Sequence, residues 1–187
     1  MSRPISVSLV VEDSLSEAVL QTILRQSKRP YTVGTCFGKK GAGFIRQRLS
    51  GFNKAAKWSP YIVLTDLDNA ECPVVLFRSW LPEAKSPYLI FRVAVREVEA
   101  WLLADRRAIA KFLGINEGLV SNAVEDISDP KQELIKVVSK SKKRELRSAI
   151  VPPQGSTRTQ GPDYNGRLIY FVKNFWRASS RMRKNPG

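Results

Sequence analysis

Histidine is absent from all 187 residues. That excludes Ser-His-Asp and Cys-His nucleophilic sites, HExxH zinc hydrolases and the His-dependent nucleases, so any acid–base or metal chemistry falls to carboxylates, Lys, Tyr or water. Cysteine is nearly absent too. Cys36 and Cys72 form no CxxC pair, and the stretch at Met1–Ser14 has no secretory pattern, which fits a reducing cytoplasm. No apolar run approaches the roughly 18 residues needed to span a membrane, so the chain reads as soluble with no membrane partner. Acidic residues are scarce: 17 Asp and Glu face 31 Lys and Arg, for a formal net charge of +14 and a pI near 10.1. Such a balance points to a polyanion, above all nucleic acid. The imbalance is uneven, with 14 basic and 3 acidic residues over 131–187 against 17 and 14 over 1–130. The grip on a polyanion is therefore expected in the C-terminal part.

What is present suits one domain with an appendage, with enough apolar residues (43%) for a core. Ile5–Val11 alternates and then becomes continuously apolar, as a strand entering a buried sheet does. Glu12-Asp13-Ser14 ends it, and Leu15, Ala18, Val19, Ile23 and Leu24 recur at helical spacing behind a Ser cap. Tyr31–Phe37 reads as a second strand, followed by the glycine loop Gly38–Gly43 and a basic amphipathic helix over about Phe44–Lys57. No Gly-Lys-Ser/Thr closes that loop, so it is not a Walker A sequence. Tyr61–Thr65 is the clearest strand and runs into Asp66-Leu67-Asp68. A helix over about Pro73–Leu81 and a strand over about Tyr88–Val95 follow. The alternation predicts an α/β fold with a mostly parallel four-stranded sheet flanked by helices, over residues 1–105. Residues 106–187 are expected to form a basic, mainly helical extension packed on that core. Within it a helix starts at Asp129-Pro130, a long loop covers Val151–Asn165, a short helix covers Leu168–Trp176, and the tail 177–187 frays.

Ligands of such sheets bind outside the carboxyl ends of the strands. Glu12 and the Asp66/Asp68 pair stand at those ends. Positions i and i+2 of an extended segment face one side, so Asp66 and Asp68 would share one small volume, and like charges packed that way call for a divalent cation. All-oxygen ligands favour Mg2+ or Mn2+ over Zn2+. A turn or helix cap rich in Asp and Asn is the plainer reading of the same residues. Glu97 and Glu99 add two carboxylates after the fourth strand: if the strand runs through Glu99 both face one way, and if a helix begins at Glu97 only one can join. Glu17, on the first helical turn after Glu12, is a further candidate metal ligand. The basic candidates for phosphate contact are Lys39, Lys40, Lys131, Lys142, Lys143, Arg144, Arg158 and Arg167, with Lys39, Lys40 or Lys131 able to assist chemistry that has no His. Among the interleaved aromatics, Phe171, Trp176 and Tyr170 read as core rather than as stacking platforms.

Glu12 leading into a helix, the Gly38–Gly43 loop before a helix and a hydrophobic strand ending in Asp66-Leu67-Asp68 resemble the three marks of a TOPRIM domain, the metal-binding module shared by topoisomerases, bacterial primases and OLD-family nucleases. Val11–Val19, Arg96–Asp105, Asp129-Pro130-Lys131 and Gly161–Gly166 are similar to small stand-alone bacterial TOPRIM-like proteins often encoded near ABC-type ATPases. The resemblance implies that Glu12 matches the invariant glutamate, that Asp66 and Asp68 match the metal-binding aspartates, and that Glu97 or Glu99 falls where OLD-type nucleases place further acidic ligands. The chain departs from the pattern in carrying Asp13 where a glycine is usual, and in placing Glu17 five residues after Glu12 rather than four.

The function this predicts is a nuclease dependent on Mg2+ or Mn2+ that cleaves DNA or RNA, working in the cytoplasm with an ABC- or OLD-type ATPase partner in anti-phage defence, the last two on the resemblance alone. The alternative is a non-catalytic nucleic-acid- or partner-binding regulator on the same fold. Nucleotidyl transfer, as in primases, fits less well because the chain has no room for a template-handling domain.

Overall fold

In the computed structural model of the chain, residues 3–178 are described. They divide into two units, with the break after Val95. The sequence reading placed it after Asp105. The difference has a local cause: β4 (Leu89–Ala94) ends at the break, and α4 (Val98–Ala104) packs on α5 (Arg106–Leu113) and α6 (Pro130–Ser139), so the residues from Arg96 onward belong with the helices.

The first unit is a four-stranded, all-parallel sheet in the order β2-β1-β3-β4, with β1 at Ile5–Val11, β2 at Tyr31–Gly38 and β3 at Tyr61–Asp66. The apolar run Leu9-Val10-Val11 is fully buried because β1 is paired on both sides. Right-handed crossovers require the β1–β2 connection, α1 (Ser14–Arg25), to cover one face of the sheet. The connections that travel the other way, α2 (Gly41–Ala55) and α3 (Pro73–Trp80), cover the opposite face. Strand alternation agrees. Val10, Val63, Leu89 and Phe91 form one core cluster with Ile45, Leu49 and Leu76. Phe37, Val10, Val63 and Phe91 form a single row across all four strands.

Helix α1 is capped by Asp13, whose carboxylate accepts the Ser16 N–H at 2.8 Å, rather than by the serine expected there. Helix α2 begins three residues earlier than the periodicity suggests, at Gly41.

The second unit is helical. Besides α4, α5 and α6 it contains α7 (Arg144–Ile150) and α8 (Tyr164–Asn174), with α7 packed on α6 and α8. Phe112, Phe171 and Phe175 cluster at ring-centroid distances of 5.2–6.4 Å, and the Trp176 indole N–H donates to the Trp101 carbonyl at 3.1 Å. Phe171 and Trp176 are core residues, while Tyr170 is half exposed. The predicted fraying tail falls from residue 179 onward outside the described residues. Among the described residues no helix is long and apolar enough to cross a membrane.

Candidate carboxylate site at the switch point of the sheet

The crossovers leaving β1 and β3 run in opposite directions, so the carboxyl ends of these adjacent strands form the crevice where parallel sheets take their ligands. Glu12 directly follows β1 and Asp66 closes β3. One Glu12 oxygen, Oε1, accepts the Asp66 backbone N–H at 2.8 Å and also accepts the hydroxyl of the buried Thr65. These two donors from β3 hold the Glu12 side chain across the strand gap. Its second oxygen, Oε2, accepts no hydrogen bond among the described residues. Burial pushes the Glu12 carboxyl above its ordinary value. The hydrogen bonds from Thr65 and Asp66 pull it back, and the charges of Asp68 and Asp13 raise it further.

Asp66 is half-buried and Asp68 is exposed, with buried Leu67 between them donating its N–H to Ala94 at 2.9 Å. The strand stops at Asp66, and Asp68 adopts a left-handed φ of 47° that aspartate tolerates. The strict i, i+2 alternation of a strand therefore does not extend to Asp68. Among the described residues no group of three or more His, Cys, Asp or Glu side chains is placed to hold a metal ion. Glu12, Asp66 and Asp68 supply the oxygen donors that Mg2+ or Mn2+ prefers, and Glu12 and Asp68 share one electrostatic field, but the three do not form a ready-made cage.

The glycine loop is tied to the same corner. Lys39 N–H donates to the Val11 carbonyl at 2.9 Å and Gly41 N–H to the Glu12 carbonyl at 3.0 Å. Gly38 is required by this approach, since its φ is 103° and a Cβ there would lie 2.0 Å from the Val11 carbonyl oxygen. Glu17 turns to this loop. Its Oε2 is 2.9 Å from the Lys39 ammonium and its Oε1 accepts from Gln21 at 3.1 Å. Both residues were candidates for the site, and they are engaged with each other. Cys36 lies nearby, its thiol pushed up to about 11 by burial and by the adjacent Glu17. Asp13, where the TOPRIM pattern has glycine, serves as the helix cap.

Glu97 and Glu99 belong to the second unit. The strand ends at Ala94, so neither residue is in an extended run, and Glu97 is the cap residue preceding α4. Both nevertheless meet Lys131, whose ammonium is 3.4 Å from Glu97 and 3.9 Å from Glu99. Because Glu97 precedes the helix with extended dihedrals (φ −146°, ψ 159°), the angular separation expected for two helical residues does not apply. Glu97 also accepts the Lys131 backbone N–H at 2.9 Å. Glu99, 4% exposed, accepts the Tyr164 hydroxyl at 2.9 Å. Burial pushes its carboxyl up, Lys131 lowers it and Glu97 raises it.

The predicted phosphate contacts divide in the same way. Lys143 donates to the Phe112 carbonyl at 2.6 Å, closing the carboxyl end of α5, and Arg167 pairs with Asp163 at 3.2 Å. Lys40, Lys142, Arg144 and Arg158 are exposed. Thr65 was not singled out from sequence, since a threonine inside an apolar strand carries no signal of its own. A second omission did have a signal: residues 18–65 contain nine Lys and Arg and no Asp or Glu, a run that averaging over 1–130 conceals. Compared with family models, curated proteins and solved structures, the chain finds no match in any of the three.

Proposed function

We propose that the chain is a TOPRIM-type nuclease that hydrolyses phosphodiester bonds in DNA or RNA with Mg2+ or Mn2+. The observation carrying this reading is the Glu12 carboxylate held against the Asp66 amide at the switch point of a β2-β1-β3-β4 parallel sheet, with the Asp68 charge acting on it. Glu12, Asp66 and Asp68 would hold the ion, which when bound activates water and offsets charge building on the phosphate. The chain's own contribution is orientation. Thr65 and the Asp66 amide fix Oε1 of Glu12 and leave Oε2 for the ligand. The ATPase partner, the cytoplasmic setting and the defence role rest on the resemblance described above.

The test is incubation of the purified chain with plasmid DNA and with total RNA in Mg2+, Mn2+ or EDTA, with and without a co-encoded ATPase. Cleavage in either metal, none in EDTA and none in Asp66→Asn or Asp68→Asn protein is the expected result. Full activity in Asp68→Asn protein refutes the metal mechanism. The second reading, a non-catalytic nucleic-acid-binding regulator, draws on the internal use of Glu12 Oε1 and of Glu17 in structural bonds. It predicts binding with no cleavage under any of these conditions.

A further inference from the structure

We infer that the outward face of α2 is the principal track for the phosphate backbone of the nucleic acid, a surface distinct from the C-terminal basic region. The inference rests on the nuclease reading only in taking nucleic acid as the partner. Helix α2 buries Ile45, Leu49 and Asn53 and leaves Lys40, Arg46, Arg48, Lys54 and Lys57 exposed along and just beyond its length. None of these five makes an ion pair among the described residues, and no acid occurs anywhere between Glu17 and Asp66 to neutralise them. Lys40 and Arg48 both sit over the Phe44 ring, at 5.6 and 5.2 Å, which holds two cations side by side across adjacent turns.

The dimensions suit a nucleic-acid strand. Fifteen residues at about 1.5 Å each give a track of about 22 Å, the rise of about six base pairs. The face is also bare. Added Cβ atoms at Gly43, in the first turn, and at Gly51 would meet nothing within 4 Å, so internal packing does not explain these helical glycines, and an open backbone lets a bulky polyanion approach. The track begins at the carboxylate crevice, because the first turn of α2 hangs from the Val11 and Glu12 carbonyls. Part of the C-terminal cluster is already engaged, although Lys140, Lys142 and Arg144 are exposed. Lys143 and Arg147 are committed to backbone carbonyls and Arg167 to Asp163. An anionic membrane is a poorer partner, since no exposed aliphatic stripe accompanies these bases, whose aromatic neighbours are the partly buried Phe44 and Phe52 and the exposed Trp58.

The experiment measures fluorescence anisotropy of a labelled 30-base-pair duplex over a salt series in EDTA, where no cleavage intrudes. Lys40→Gln/Arg48→Gln/Lys54→Gln protein, whose bases share the side of α2 opposite Leu49, is compared with Lys140→Gln/Lys142→Gln/Arg144→Gln protein. The first should lower the log–log salt slope by about 2.7, at about 0.9 per contact, and the second by less. If the first triple variant loses its circular dichroism spectrum, the single variants Arg48→Gln and Lys54→Gln replace it, each lowering the slope by about 0.9. An unchanged slope in the α2 variants overturns the inference. So does an equal or larger effect from the C-terminal variant, or salt-sensitive binding to phosphatidylserine vesicles without binding to the duplex. Failure of the nuclease reading has a different signature: the slope difference persists while Mg2+ and Mn2+ elicit no cleavage.

Discussion

Replacing Glu12 by alanine and by glutamine separates its role as a hydrogen-bond acceptor from its role as a charge. Glu12→Ala removes the acceptor of both the Asp66 N–H and the hydroxyl of buried Thr65. Each buried donor left without a partner costs about 1–3 kcal/mol, and losing a partly buried carboxylate returns some of that. The net expectation is a loss of about 2–4 kcal/mol. Glu12→Gln keeps an oxygen for both donors and deletes the charge, so in EDTA at pH 7 it should be as stable as the parent protein or more so. The sign of the pH dependence follows from the upward shift. Burial raises the folded-state pKa above the ordinary 4.5, so the folded protein binds more protons in that window. The parent is therefore at its best relative to Glu12→Gln below pH 4.5 and loses ground as pH rises through the raised value. Urea denaturation of the three proteins in EDTA at pH 4.5, 5.5 and 7 provides the test. Glutamine as damaging as alanine at pH 7, or alanine without effect, would refute the assignment of Glu12 as an acceptor bridging β1 and β3. With Mg2+ added, the parent should regain the advantage over Glu12→Gln, because a ligand that binds only the folded state stabilises it.

Further outcomes follow from other contacts in the structure. Gly51→Ala should stabilise the protein by about 0.5–1 kcal/mol, because a helical alanine there meets open space. Gly38→Ala should cost about 2 kcal/mol or more, because its Cβ would collide with the Val11 carbonyl at a positive φ. Thermal melts check both. Tyr164→Phe removes the hydroxyl donor to buried Glu99 and should cost about 1.5–3 kcal/mol. Since burial already raises the Glu99 carboxyl and losing the hydroxyl raises it further, the deficit should widen as pH climbs above 4.5 and shrink when Glu99→Gln is added, as read by urea titration at pH 5 and 8. Cys36, pushed up to about 11, should react with iodoacetamide at pH 8 about a hundredfold more slowly than a simple thiol of ordinary pKa. Glu17→Gln should speed that reaction, and an unchanged rate, read by mass spectrometry of the labelled peptide, would show that Glu17 does not act on the thiol.

The α/β alternation was legible from sequence because each element carries its own period. The buried run Leu9-Val10-Val11, the apolar positions of α1 and the strand ending at Asp66 need nothing beyond their neighbours to be read. Strand-end placement of Glu12, Asp66 and Asp68 was legible for the same reason. Short or turn-rich segments were not. Helix α7 is only seven residues long, and Gly161 to Gly166 reads as a turn although α8 already starts at Tyr164. There Gly161 is pressed against the Ala149 carbonyl, where a Cβ would lie at 2.3 Å. That Glu12 reaches the Asp66 amide depends on β1 lying next to β3, which the handedness of two crossovers decides across more than fifty intervening residues. Tertiary structure also decided how each charge is used. Asp13 caps a helix, Glu17 holds Lys39, Glu97 and Glu99 gather around Lys131, Lys143 closes α5, and the bases of α2 remain exposed without an acid beside them. Sequence sets the number of charges and their local period. Which of them neutralise one another depends on distances of a few ångströms between residues far apart in the chain, and only the folded backbone sets those.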